Sequence, residues 1–253
     1  MESLRSDLIF DIDVVSEDLG KSVDIISNLL ERKACFTLVF LNSNLLYFYR
    51  KSLLTLDLKA AAVLVFPDGM FLNLCNLVFN GKRFKANLNG TDVCPRILDF
   101  ACPNLRIAIV GGAGDLHRLL RERFDSSGDL NLVSLYSGYF ATECEKREVV
   151  EGILSDDIDI VFSAMGNPAQ ENFVKELRNA GFQGSAICVG AFFNFLVGIE
   201  KRAPKVIRKA RMEWFYRFLQ NPRRLYKRYF LLGPQLFLDV LICHIVSKLR
   251  RPD

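Results

Sequence analysis

Histidine is almost missing from this 253-residue chain, with His117 and His244 the only two. A zinc site would therefore lack its usual ligands, and none of the seven cysteines pairs with another as Cys-x-x-Cys. No Asp-x-Asp pair follows a candidate strand, so no site for a divalent cation is evident. No apolar run reaches the ~18–20 residues of a membrane span. The first residues, "MESLRSDLIFDID", carry acids where a secretory leader needs a basic region followed by an apolar one. Internal repeats and low-complexity tracts are also absent. These absences predict a cytoplasmic chain with neither metal nor organic cofactor. The cysteines are scattered singly, several within apolar runs such as "SAICVGAFF", and are read as small buried hydrophobes in a reducing compartment.

What is present supports a folded core. Half the residues are hydrophobic and a quarter are charged, a balance that argues against disorder. The net charge of +4 is unevenly divided: Glu200 to Asp253 holds fourteen Lys/Arg against four Asp/Glu, a balance of +10. The preceding 199 residues then carry −6. An acidic body with a basic tail predicts an anionic partner for the tail.

Apolar runs at 7–15, 35–41, 61–66, 106–111, 130–136, 157–164 and 185–190 are predicted strands. Helical patterns at 17–31, 91–101, 114–124, 142–154 and 169–180 lie between them, with Ser16 and Thr91 as predicted N-caps. This alternation predicts an α/β fold with a mostly parallel sheet covered on both faces. From Lys201 strands vanish, and helical stretches are punctuated by Pro204, Pro222 and Pro234. The predicted organisation is an α/β core over 1–199 and a basic helical appendage over 200–253.

Three turns at strand ends could hold a ligand, and each has a plainer reading. "VGGAGDLHRLL" (110–120) invites a dinucleotide reading but lacks the G-x-G-x-x-G spacing, and tight strand-to-helix turns use glycine anyway. "LVFPDGMF" (64–71) puts Asp68 where open α/β sheets bind ligands, although Pro-Asp-Gly is also an ordinary turn. "FSAMGNPAQENF" (162–173) offers backbone N–H groups to a phosphate, or simple helix capping by Pro168 and Glu171.

The segment "EWFYRFLQNPRRLYKRYF" (213–230) mixes arginines with aromatic residues. Arg217, Arg224 and Arg228 are spaced by seven and four, so they share a face if Pro222 does not break the helix. Arginine beside aromatics suits a diphosphate or a membrane interface. The acidic body and the lack of any reading motif argue against nucleic acid. The apolar stretch 235–249 is too short and polar to span a bilayer but suits lying in its interface.

Taken in order, "PDG", "NGTDV", "AMGNPAQENF", "CVGAFFNFLVGIEKRAP", "EWFYR" and "NPRRLYKRY" resemble the WecG/TagA/CpsF family of bacterial glycosyltransferases from about residue 35 to 237. The resemblance implies a Rossmann-like, metal-independent, inverting enzyme at the cytoplasmic membrane surface. It would move a sugar from a UDP-sugar donor to a polyprenyl-diphosphate-linked acceptor during surface polysaccharide synthesis. Residue by residue, it implies Asp68 as the catalytic carboxylate, with Asn42, Gln170, Arg217, Arg224 and Arg228 binding substrate. The chain departs from the family pattern at Phe40 and Leu41, where Thr-Pro is frequent, at Asn87 in place of Arg, and at Asn194 in place of Asp. The sugar stays open among N-acetylmannosamine, its uronic acid and glucose, as does a homo-oligomer.

Chemistry agrees with this reading. An inverting transfer needs a base for the acceptor hydroxyl and, without a metal, guanidiniums where the diphosphate departs. Two other readings stand beside it: a non-catalytic protein binding anionic membrane or nucleic acid through its tail, and an NAD enzyme using the turn at 111–114.

Overall fold

The chain opens with a hairpin where its sequence predicts one strand over 7–15. β1 (Ser6–Ile9) and β2 (Ile12–Val15) pair antiparallel around Phe10, whose φ is 55°. Distant partners hold this turn: Tyr49 and Lys59 donate to the Asp11 carboxylate, and the Arg50 guanidinium lies 4.4 Å over the Phe10 ring. The computed structural model describes residues 4–100, 105–128, 131–204, 206–207, 213–220 and 222–249, and only the backbone of Arg217, Arg224 and Arg228.

The remaining strands are β3 (Thr37–Leu41), β4 (Val63–Pro67), β5 (Arg106–Val110), β6 (Asn131–Tyr136), β7 (Ile160–Ser163) and β8 (Ser185–Cys188). They form one sheet in the order β1-β2-β4-β3-β8-β7-β5-β6, parallel at every pairing after the hairpin. β3, β7 and β8 are buried along their whole length, which is why they read as unbroken apolar runs.

Successive side chains of a strand point to opposite faces. Leu38 and Phe40 join Phe66, Ile107, Phe162 and Ile187 on one face. There they meet α1 (Leu19–Glu31), α4 (Gly90–Phe100), α5 (Asp115–Ser127) and α8 (Phe192–Leu196). Val39 and Leu41 join Val65 and Cys188 on the other face, under α2 (Ser43–Arg50) and α3 (Met70–Asn80). α6 (Glu143–Ser155) and α7 (Ala169–Asn179) cover the far end of that face through Ile153, Phe173 and Leu177.

Both predicted N-caps move. α1 is capped by the Asp18 carboxylate, which accepts from the Lys21 N–H, while the Ser16 N–H is used in the hairpin by Arg5 O. Thr91 lies within α4; the cap there is Asn89, whose Oδ1 accepts from both the Asp92 N–H and the Thr91 hydroxyl. The cysteines also divide: Cys75, Cys94 and Cys188 are buried as expected, but Cys35 and Cys144 are exposed, and Cys102 lies outside the described residues.

From Glu213 onward the described segments are helical. α9 (Glu213–Gln220) is followed by α10 (Pro222–Tyr226), a π-helical turn over Lys227–Leu232, and α11 (Gly233–Leu249). Pro222 opens α10, where its missing N–H costs nothing. Leu236 and Val240 of α11, one turn apart, are buried against the β1–β2 and α2–α3 side of the core. The other side of α11 leaves Leu238, Ile242, Ile245 and Leu249 exposed. No helix among the described residues is long and apolar enough to cross a membrane.

Candidate functional site

The connection leaving β3 runs through α2 on one face, and the connection leaving β8 runs through α8 on the other. Adjacent parallel strands whose connections part in this way open a crevice at their carboxyl ends, where such sheets bind ligands. Asn42, Asp68, Asn167 and Gly190 all follow strands at this edge.

The register makes the placement firm. Leu41 pairs with Pro67, so Asn42 and Asp68 stand side by side, one strand spacing apart. The Asp68 N–H continues the ladder by donating to Leu41 O at 2.8 Å. Gly69 then turns the chain into α3 with φ 94°, a conformation that favours glycine, and its N–H donates to Asn87 Oδ1 at 2.7 Å. Asn87 thus anchors the loop carrying Asp68. Asp68 itself is half-buried.

Asn42 caps α2, its Oδ1 accepting from the Asn44 and Leu45 N–H groups. Its Nδ2 reaches Asn167 Oδ1 at 3.4 Å, bridging the β3 and β7 loops across the crevice. The Asn167–Pro168 peptide is cis, and α7 begins immediately after it.

Gln170, expected to bind substrate, is only 3% exposed. Its Oε1 accepts from the Gly166 N–H at 3.2 Å and the Gly190 N–H at 2.9 Å, while its Nε2 donates to Glu171 Oε1 at 2.7 Å. In this arrangement Gln170 holds the β7 and β8 loops together, and contact with a substrate needs its amide to be released. Gln170→Ala is expected to lower stability by about 2 kcal/mol or more, because two backbone donors lose their acceptor. Equilibrium denaturation checks this, and an unchanged midpoint would remove the holding role.

Glu171 is the least expected member of the site. It is fully buried, its Oε1 accepts from Asn167 Nδ2 at 2.6 Å as well as from Gln170, and among the described residues its Oε2 has no hydrogen-bond partner. Burial pushes its carboxyl up to about 7, against the opposing pull of the two amide donors. Sequence reading treats it as a capping acid in the first turn of α7; no spacing signal separates that role from this one.

At the start of α4, Arg202 Nη1 pairs with Asp92 Oδ1 at 2.7 Å and donates to Thr91 O at 3.3 Å. Its Nε stands 3.9 Å from Glu213 Oε1, which brings the start of α9 beside α4. Arg217, Arg224 and Arg228 lie on α9, α10 and the π-helical turn, and their side chains lie outside the described residues.

The glycine-rich turn after β5 has a packing explanation. A Cβ on Gly111 would sit 2.6 Å from the Ala164 carbonyl carbon, and one on Gly112 would sit 2.3 Å from Leu116. Close approach of β5 to the β7 loop, at positive φ, demands glycine there without any dinucleotide.

Fold and site together define a Rossmann-like α/β protein with one half-buried carboxylate and a set of linked amides at its ligand edge. Fold alone does not assign chemistry. The chain matches the model of the glycosyl transferase WecG/TagA/CpsF family over residues 8–250, and it belongs to that family. It is similar to the N-acetylglucosaminyldiphosphoundecaprenol N-acetyl-beta-D-mannosaminyltransferase of Bacillus subtilis (strain 168), 25% identical over 224 residues that cover 87% of this chain and 86% of the relative. The protein of the same name from Bacillus spizizenii (strain ATCC 23059 / NRRL B-14472 / W23) is 29% identical over 168 residues, covering 65% of this chain and 63% of the relative. In that second match the chain spans less than two thirds of the relative's length.

Proposed function

We propose that the protein transfers a sugar from a UDP-sugar to a polyprenyl-diphosphate-linked saccharide, with inversion, in the assembly of a cell-surface polysaccharide. The observation that carries this reading is Asp68, a carboxylate beside Asn42 at the ligand edge of a chain that matches a glycosyl transferase family over nearly its whole length. Asp68 takes the proton of the acceptor hydroxyl as that oxygen attacks the anomeric carbon. Asn42 and Asn167 present amides to the sugar. Arg217, Arg224 and Arg228 balance the charge that builds on the departing diphosphate.

The relatives' names support N-acetylmannosamine as the sugar and diphosphoundecaprenol-linked N-acetylglucosamine as the acceptor. The exposed apolar side of α11, next to basic and aromatic α9 and α10, supports a seat on the inner face of the cell membrane. A panel of UDP-sugars incubated with a synthetic polyprenyl-diphosphate-linked N-acetylglucosamine tests the assignment by mass spectrometry. An adduct of one N-acetylhexosamine from UDP-N-acetylmannosamine is expected; no transfer from any UDP-sugar would overturn the reading.

Transfer is also expected to survive EDTA, because the loops after β3, β4, β7 and β8 at the ligand edge carry no Asp-x-Asp pair and the sequence has only two histidines. Loss on chelation, restored by Mn²⁺, would show that a cation assists the leaving group.

A further inference from the structure

Glu171 has a buried carboxyl that simple helix capping does not require. Both donors it engages are side-chain amides of the site, Asn167 and Gln170, and both converge on the one oxygen Oε1. Each amide then passes the constraint onward. Asn167 Oδ1 accepts from Asn42 on the β3 loop, and Gln170 Oε1 accepts from Gly166 on the β7 loop and Gly190 on the β8 loop.

We propose that Glu171 is the positioning residue of this site: its carboxyl holds Asn167 and Gln170, and through them the loops after β3, β7 and β8, in the arrangement that receives the donor. The donor in that statement rests on the function proposed above; the network itself does not.

The geometry selects the protonation state in which the network stands. A neutral carboxyl presents Oε1 as the carbonyl oxygen accepting two N–H groups and leaves the proton on Oε2. An ionised carboxyl would leave Oε2 as a buried charge without a donor among the described residues, which is costly enough to drive the β7–α7 loop open toward water. The ionisable group facing Glu171 from β8 is Cys188, whose thiol burial holds neutral well above its usual range. Beyond Cys188, the Arg178 guanidinium is tied to the Phe36, Phe182 and Gly184 carbonyls. The carboxyl's upward displacement to about 7 puts the change of state near neutral pH.

The network is read directly from the side-chain amide resonances of Asn42, Asn167 and Gln170 in the full-length protein between pH 5.5 and 8.5. In the wild type they are expected to shift together with one midpoint near 7. In Glu171→Gln, whose amide oxygen keeps both contacts but does not titrate, they should stay constant. Asn167→Ala gives a second route if that variant folds poorly: the Asn42 amide should stop responding while the Gln170 amide still does. Amides that titrate identically in wild type and Glu171→Gln, or that do not titrate at all, would overturn the proposal.

Affinity for the preferred UDP-sugar is expected to weaken about tenfold per pH unit above the midpoint in the wild type, as the competent fraction falls, and to stay level in Glu171→Gln. Titrating amides with pH-independent affinity would overturn the role in receiving the donor. A wild type that binds no UDP-sugar at any pH, while its amides titrate as expected, would instead overturn the donor reading and leave the positioning network in place.

Discussion

Asp68→Asn is expected to lower turnover by a factor on the order of 10² to 10⁴, the usual contribution of a positioned general base. The substitution keeps the size and planarity of the side chain and removes its basicity. Two anchors of the loop are left untouched by the substitution: Asp68 N–H to Leu41 O, and Gly69 N–H to Asn87 Oδ1. UDP affinity measured by calorimetry should therefore stay near the wild-type value while the transfer rate falls. Near-normal turnover in this variant would remove Asp68 from the mechanism and leave Asn42 and Asn167 as binding groups without a base beside them.

Replacing Arg217, Arg224 or Arg228 by Ala is expected to lower turnover by about 10² each, the scale of losing one donor to a developing negative charge. Vesicle binding should persist in each variant. Most cations of the tail remain, and each is worth about 1 kcal/mol near an anionic surface. Co-sedimentation with anionic vesicles and a transfer assay with a water-soluble acceptor separate the two effects. Full turnover in all three variants would reduce the tail to an anchor.

Composition alone suggests a cleaner experiment, a cut at residue 200, but the structure argues against it. Leu236 and Val240 are buried in the same cluster as Ile9, Leu45 and Leu72, each worth about 1.5–3 kcal/mol by burial. A whole domain is stable by only about 5–15 kcal/mol. Deleting 201–253 is therefore expected to destabilise the α/β core, so lost transfer in the truncated protein would mix two causes.

The same inequality, between what a local pattern states and what a distant contact adds, runs through the whole molecule. Sequence by itself determined the mostly parallel character of the sheet. β3, β5, β7 and β8 are short apolar runs because both their faces are covered, and that signal survives without any knowledge of partners. It also determined the edge at which Asp68 and Asn42 stand, since each directly follows a strand, and the ordered motifs determined the family. Tertiary structure alone decided the rest. Phe10 breaks the predicted first strand because Tyr49, Lys59 and Arg50 hold its turn, and these lie about 38 to 48 residues away in sequence. Gln170 and Glu171 look like ordinary first-turn residues of a helix. Their roles appear only when β3, β7 and β8 align and bring Asn42, Asn167 and Gly190 within hydrogen-bond reach. Burial of Glu171 likewise has no local sign: it depends on the packing of α7 over β8, and a carboxyl's proton affinity follows the water it has lost.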